Sequence, residues 1–331
     1  MNDNTHYLSA AIPEANSESE KRAARDHRHD AWFRRVMMGA AMLVLVLLAV
    51  IAGSTLWGGA LAFKSFGLDF IFSNDWDVVN ERFGALVPIY GTLVTSFIAL
   101  LIAVPVSFGI AIFLTEIAPP WLRTPIASAV ELLAGIPSII YGMWGLFVFA
   151  PFMAEYFSPW VNDYLGAIPV IGSLFQGPPL GIGMLTGGIV LAIMIIPFIT
   201  SVMQEVFRTV PTQLKESAYA LGGTTWEVVW DIVLPYTRSA VVGGVFLGLG
   251  RALGETMAVT FVLGNSHQFS ASLLMPSSSI ASVIANEFNE AYTDMHRSAL
   301  LALGFLLFVV TFIVLAIARL MLSRLSRKEG L

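Results

Sequence analysis

Apolar residues run along this chain in six long stretches, at about 36 to 61, 89 to 115, 125 to 151, 182 to 205, 237 to 263 and 299 to 322. Each can cross a hydrocarbon layer of roughly 30 Å, which takes about 20 helical residues. All six are predicted to be helices, because a helix satisfies its own backbone donors and acceptors in lipid and an open sheet does not. Between the fourth and fifth stretches lies a segment of different character, Glu216 to Pro235, ESAYALGGTTWEVVWDIVLP. Its first half follows Pro211 and places Leu214, Ala218 and Leu221 at helical spacing, and Gly222-Gly223 then supplies the left-handed backbone that ends a helix. Thr224, with Glu227 three residues on, makes a capping box for a second short helix. Its apolar stripe is Trp226, Val229, Trp230 and Val233, and Pro235 is expected to close it.

Composition points the same way. Hydrophobic residues are 56% of the 331 and charged residues 12%, about half the charged share of an ordinary soluble domain. Mean hydropathy is +0.75. The basic residues set an orientation: Lys21, Arg22, Arg25, Arg28, Arg34 and Arg35 precede the first stretch, and Arg123 follows the second. Arg208 and Lys215 lie between the fourth and fifth, and Arg319, Arg324, Arg327 and Lys328 end the chain. Those sides, both termini and the Glu216 to Pro235 segment are predicted to be cytoplasmic. The other face carries Lys64, Arg82 and Arg297 with more acid, including Asp69, Asp75, Asp77, Glu81, Glu287 and Asp294. Residues 1–30 form a polar tail with no cleavable-signal pattern, expected to be disordered or loosely attached. A net charge of -5 decides little when two aqueous faces share it.

Several chemistries are excluded. With no cysteine there is neither a disulfide nor a thiolate metal site. No Gly-Lys dipeptide occurs, hence no phosphate-cradling Walker A loop, and the chain is not expected to hydrolyse ATP itself. The five histidines lack metal-ligand spacing; His27 and His29 belong to the solvated tail.

Charge inside the fifth stretch is the candidate chemistry. Arg251 and Glu255 are spaced i, i+4, with Gly244 and Gly248 near the same azimuth. Each charged residue costs about 2.5–3.5 kcal/mol to insert near the bilayer centre, so each needs a partner or a wet cavity. One reading is a buried ion pair that fixes helix packing. The other is a pathway lining in which Glu255 holds Arg251 until an anion takes its place, the guanidinium offering forked donors. Gly135, Ile136 and Pro137 are expected to kink the third stretch and free carbonyls mid-bundle, with Pro105 and Pro197 doing likewise in the second and fourth. Thr186 with Gly187 and Gly188 is a weaker anion contact, or a site of close helix packing.

Glu216, Ser217, Ala218, Gly222, Ile232, Leu234 and Pro235 resemble the EAA signature of permease subunits of binding-protein-dependent ABC importers, with Ser217 in place of the second alanine. Glu131 to Gly142, ELLAGIPSIIYG, and Gly250 to Thr260, GRALGETMAVT, are similar to the narrower PstC-type phosphate permeases, over about 30 to 325. The resemblance implies an all-α, polytopic, six-helix permease of the type I importer kind spanning 31–325, with a coupling segment at 208–236 and a cytoplasmic end at 326–331. It also implies a second homologous permease, two ATPase subunits carrying ATP and Mg, a periplasmic or extracellular phosphate-binding protein and a bacterial inner membrane. No cofactor of its own and no nucleic acid are expected. Sulfate or molybdate as cargo, and an ion-coupled secondary transporter with Arg251 and Glu255 as a proton relay, stay open as alternatives.

Overall fold

A computed structural model describes the backbone of residues 7–169 and 172–327, and side chains at 29–30, 32–169 and 172–320. Residues Met1–Ser54 and Thr55–Leu331 form two compact units. The first holds most of helix α1, Tyr7–Gly58, which begins well upstream of its apolar part. His27 lies outside the described side chains, and 328–331 lie outside the described residues.

In the second unit, two short helices, α2 (Ala60–Phe66) and α3 (Asp69–Phe72), lead into a two-stranded ribbon. Its strands β1 (Trp76–Asp77) and β2 (Arg82–Phe83) pair Trp76 with Phe83 and Asp77 with Arg82. Helix α4 (Leu86–Ile117) follows, then α5 (Pro120–Ala134), α6 (Ser138–Tyr164) and α7 (Met184–Arg208). The chain continues through α8 (Thr212–Ala220), α9 (Thr225–Leu253) and α10 (Met257–Val262). It ends with α11 (Ile280–Glu287) and α12 (Asp294–Arg327). Among the described residues six helices are long and apolar enough to cross a membrane: α4, α6, α7, α9, and the segments Trp32–Gly58 and Asp294–Leu320.

The centre of this unit is α4 against α7. Gly91, Thr95, Ala99, Ala103, Ser107 and Ala111 recur every four residues along α4 and are all buried, a small-residue stripe that lets two backbones come close without side chains between them. On α7, a Cβ added to Gly188 would lie 2.6 Å from Ile98 Cγ2, and Ser107 Oγ donates to the Ile196 carbonyl at 3.1 Å. Leu191, Ile195, Ile199, Met203 and Phe207 fill the rest of the contact face. A second apolar cluster joins Phe70 and Phe83 to Ile280, Val283 and Leu303, tying the ribbon to α11 and α12.

Two spans differ from the sequence expectation. The third was placed at about 125 to 151 with a kink at Gly135-Ile136-Pro137, but the chain breaks there completely. Gly135 stops α5, and Pro137 has extended backbone (ψ 137°) before α6 begins. Pro137 cannot donate a helical hydrogen bond and pushes its predecessor out of helical backbone, so two consecutive helices stand where one was expected. The fifth span also starts earlier and stops sooner: α9 runs straight through Pro235 and ends at Gly254.

Proline is accommodated by a common device. Four π turns occur among the described residues, Phe113–Ile117, Gly145–Phe149, Met153–Phe157 and Val229–Val233, and each ends two residues before a proline: Pro119, Pro151, Pro159 and Pro235. The wider turn moves the carbonyl that a proline ring would strike, so the helix continues through Pro151, Pro159 and Pro235, whereas at Phe113–Ile117 the turn ends α4 before Pro119. That is why Pro235 does not close the second helix of the hairpin. Pro105 and Pro197, by contrast, sit inside α4 and α7 without interrupting either.

Candidate functional site

The hairpin between α7 and α9 is built by local chemistry that the sequence announces. Pro211 starts α8, and Gly222 ends it with φ +88°. The Gly223 N–H donates to the Ala218 carbonyl at 3.0 Å and the Gly222 N–H to the Tyr219 carbonyl at 2.9 Å, the paired bonds of a Schellman cap. Thr224 Oγ1 accepts from the Glu227 N–H, and Glu227 Oε2 accepts from the Thr224 N–H at 2.7 Å, so the capping box is complete. Val228, Val229 and Val233 are buried. Leu221 is 90% exposed and Trp226 69%, while Leu214, Tyr219 and Trp230 also stand open. Together these side chains leave the hairpin with an exposed apolar surface. A cavity of about 330 Å³ lined by Ala218, Leu221, Gly222 and Ile232 indents it. Glu216 and Ser217 are exposed, with Ser217 Oγ donating to the Gln213 carbonyl; Ala218, Ile232 and Leu234 are half-buried, and Pro235 is exposed.

The intramembrane charges are arranged otherwise than their spacing implied. Gly254 terminates α9, so Glu255 is no longer one helical turn above Arg251. Among the described residues no ion pair joins them. Glu255 turns instead to α10, where Oε1 accepts from the Ala258 N–H at 3.4 Å. Arg251 is exposed on its chain, with Cζ 5.4 Å from the centre of the Phe198 ring on α7, a cation–π contact, and within electrostatic reach of Tyr141 on α6. Tyr141 in turn donates to the Leu133 carbonyl at 2.9 Å, which takes up one of the carbonyls released by the 135–137 break.

Gly244 and Gly248 do share a face with Arg251. A Cβ on either would press on Val202 or Ile199 of α7, at 2.8 and 2.7 Å, so these glycines set how closely α9 approaches α7. Gly142 does the same for α6 against α10, where a Cβ would stand 3.0 Å from the Ala258 Cα. α6 and α10, each of which follows a break in a helix, therefore pack closely against each other. Thr186 is committed elsewhere, buried and donating to the Gly181 carbonyl at 2.6 Å, and Gly187 and Gly188 serve packing.

The binding-protein-dependent transport system inner membrane component family matches residues 88–327. The chain belongs to this family. The permease is 64% identical over 322 residues to the "Phosphate transport system permease protein PstC" of Xylella fastidiosa (strain Temecula1), covering 97% of this chain and 99% of that one. It is 55% identical over 314 residues to the protein of the same description from Pasteurella multocida, covering 95% and 98%. Among solved structures, it shares its fold with a chain of a bacterial alginate ABC transporter at 18% identity and TM-score 0.59, covering 88% of this chain and 96% of that one. The chain is thus a multi-pass membrane subunit of a transporter and not itself an enzyme. ATP hydrolysis belongs to a separate subunit, and a substrate-binding protein is a further partner of the family.

One feature of the permease left no trace in sequence spacing. Glu287, at the end of α11, accepts from His267 Nε2 and His296 Nε2 at 2.9 Å each and from Trp76 Nε1 at 3.0 Å. Trp76 stacks on His267 and His296 on Phe83, with ring centres 5.4 and 5.3 Å apart. One carboxylate thereby ties together the ribbon, the loop after α10, α11 and the start of α12. Burial raises the pKa of Glu287, but the hydrogen bonds from His267, Trp76 and His296 and the charge of His267 outweigh it and leave the group below its ordinary value of 4.5. A depressed carboxylate stabilises the fold above the ordinary value and loses that contribution as pH falls through the folded one. Amide protection in 74–83 and 264–270, taken relative to the Glu287→Gln variant at each pH, should therefore fall on acidification below about 4.5. A flat ratio from pH 7 to 3 would show that the clamp contributes nothing.

Proposed function

We propose that this permease carries inorganic phosphate inward across a bacterial inner membrane as half of an ATP-driven translocation pathway. The full-length 64% identity to a phosphate transport permease carries this reading. Its hairpin faces the cytoplasm with both termini, a reading that the distribution of arginine and lysine supports. There Glu216, Ser217, Ala218, Gly222, Ile232, Leu234 and Pro235 dock on an ATPase subunit that holds ATP and Mg. A homologous second permease, a second ATPase subunit and an external phosphate-binding protein complete the assembly.

The site chemistry suits such cargo. An anion in a low-dielectric layer needs a compensating positive charge, yet several fixed cations would hold it and stop turnover. A single guanidinium, steadied by the Phe198 ring instead of a carboxylate, is free to offer its forked donors to a passing oxyanion. Glu255 follows in the 254–256 break, turned toward α10, and its charge limits how long an anion remains. Because Arg251 is exposed on its own chain, the cavity it lines is closed by the second permease.

The decisive measurement is uptake of radiolabelled phosphate into proteoliposomes holding the permease with its partner subunits. Uptake should require both ATP and binding protein, and excess sulfate or molybdate should leave it in place. Uptake driven by a proton gradient without ATP would overturn the reading. Full competition by sulfate or molybdate would keep the architecture and change the cargo.

A further inference from the structure

Helix α8 is weakly held by packing. None of its residues is buried, and only Ala218 among its apolar side chains joins the main core. Its covalent connections are two short turns, 209–211 from α7, where Val210 is buried, and the Gly222-Gly223 cap into α9, where the backbone is left-handed. With so little buried surface, such a helix keeps some freedom to tilt about its ends when pushed from outside and passes little of the push to the spans.

A third attachment removes that freedom. Lys215 Nζ lies 2.6 Å from Glu116 Oε1, and the side chains are 17% and 6% exposed, so the pair is largely withdrawn from water and little screened. Glu116 sits in the π turn Phe113–Ile117 that ends α4. A π turn inserts a residue into the helix and so re-aims every side chain after it, and such turns gather at functional places. From Glu116 the route inward is continuous. α4 carries the small-residue stripe that locks it to α7, and the Gly244 and Gly248 contacts lock α7 to α9 and so to Arg251. By contrast, the ion pair Arg208–Glu205 lies within one helix, at 52% and 74% exposure, and joins no two elements.

We propose that the Lys215–Glu116 ion pair is the strut through which movement of α8 reaches the membrane helices, making Lys215 and Glu116 positioning residues for transport. The inference rests on the reading of the hairpin as the ATPase contact. It concerns how force leaves α8, not what applies it. The pair stays formed through the cycle, and its charges matter only because they hold α8 and α4 at fixed separation.

The test uses the whole transporter in proteoliposomes and reads phosphate imported per ATP hydrolysed. Replacing both partners, Glu116→Gln with Lys215→Met, leaves no orphaned charge, so membrane abundance stays normal even though the tie is gone. The ratio in this double variant should fall about fivefold, since coupling networks of this kind carry a few-fold to tens-fold effects. The reversed pair, Glu116→Lys with Lys215→Glu, should recover at least about half of the wild-type ratio, the signature of a direct pairwise interaction. A wild-type ratio in the neutral pair, or no recovery in the reversed pair at normal abundance, overturns the strut. If Gly222→Asp leaves binding-protein-stimulated hydrolysis intact, the underlying hairpin reading fails instead, so the two failures are distinguishable.

Discussion

Gly222→Asp should leave the permease folded and inserted while abolishing ATP hydrolysis stimulated by the binding protein. The reason is the space around Gly222. A Cβ there meets no atom of the chain within 4 Å, so the new side chain has room. The backbone penalty is small: a left-handed conformation costs most L-residues about 1–2 kcal/mol, and aspartate adopts it more readily than most. What changes is the exposed face of the hairpin. Gly222 lines the 330 Å³ cavity between α8 and α9, beside Leu221 and Ala218 and with Glu227 and Asp231 in the same lining, so a carboxylate there adds a third negative charge with no cation among the lining residues. Removing such a charge from water without a partner costs several kcal/mol, enough to break a subunit contact. Membrane abundance and ATP hydrolysis, measured on the assembled transporter, check both halves. Unchanged stimulated hydrolysis at normal abundance would reject the hairpin as the coupling element.

That hairpin was legible because its determinants are short-range. A proline start, a glycine stop, and a threonine and glutamate three residues apart need no knowledge of the rest of the chain, and the structure contains each of them. The resemblance carried the same residues to a role. The spans were legible as apolar stretches but not at their ends. Gly135-Ile136-Pro137 reads as a kink inside one span, but Gly135 ends α5 and Pro137 starts α6, so the chain breaks there into two helices. Pro235 misled in the opposite direction, since a proline that looks terminal is absorbed by the π turn before it. The illegible features are those assembled from distant parts. Trp76, His267, Glu287 and His296 lie up to 220 residues apart along the chain, and Glu116 and Lys215 lie 99 apart. No spacing rule reaches across such intervals.

Arg251→Gln should lower phosphate uptake at least about tenfold with normal membrane abundance, while Glu255→Gln should lower it less. The asymmetry follows from the break at Gly254. Had the pair stood on one helix as its spacing implied, removing either member would have stranded the other charge in the membrane, and the two variants would behave alike. In the structure Glu255 faces the start of α10, and Arg251 rests on Phe198 and near Tyr141, so neither depends on the other for compensation. Glutamine retains amide donors but is shorter and loses both the charge and the guanidinium that lies over Phe198, so membrane abundance must be read alongside uptake. Arg251→Lys distinguishes charge from geometry: an ammonium supplies the same charge without the planar fork, and uptake between wild type and glutamine would assign the forked donors a share of the work. Equal losses in Arg251→Gln and Glu255→Gln, with abundance falling in both, would return the pair to a packing role and leave the anion's route to be sought elsewhere among the helices.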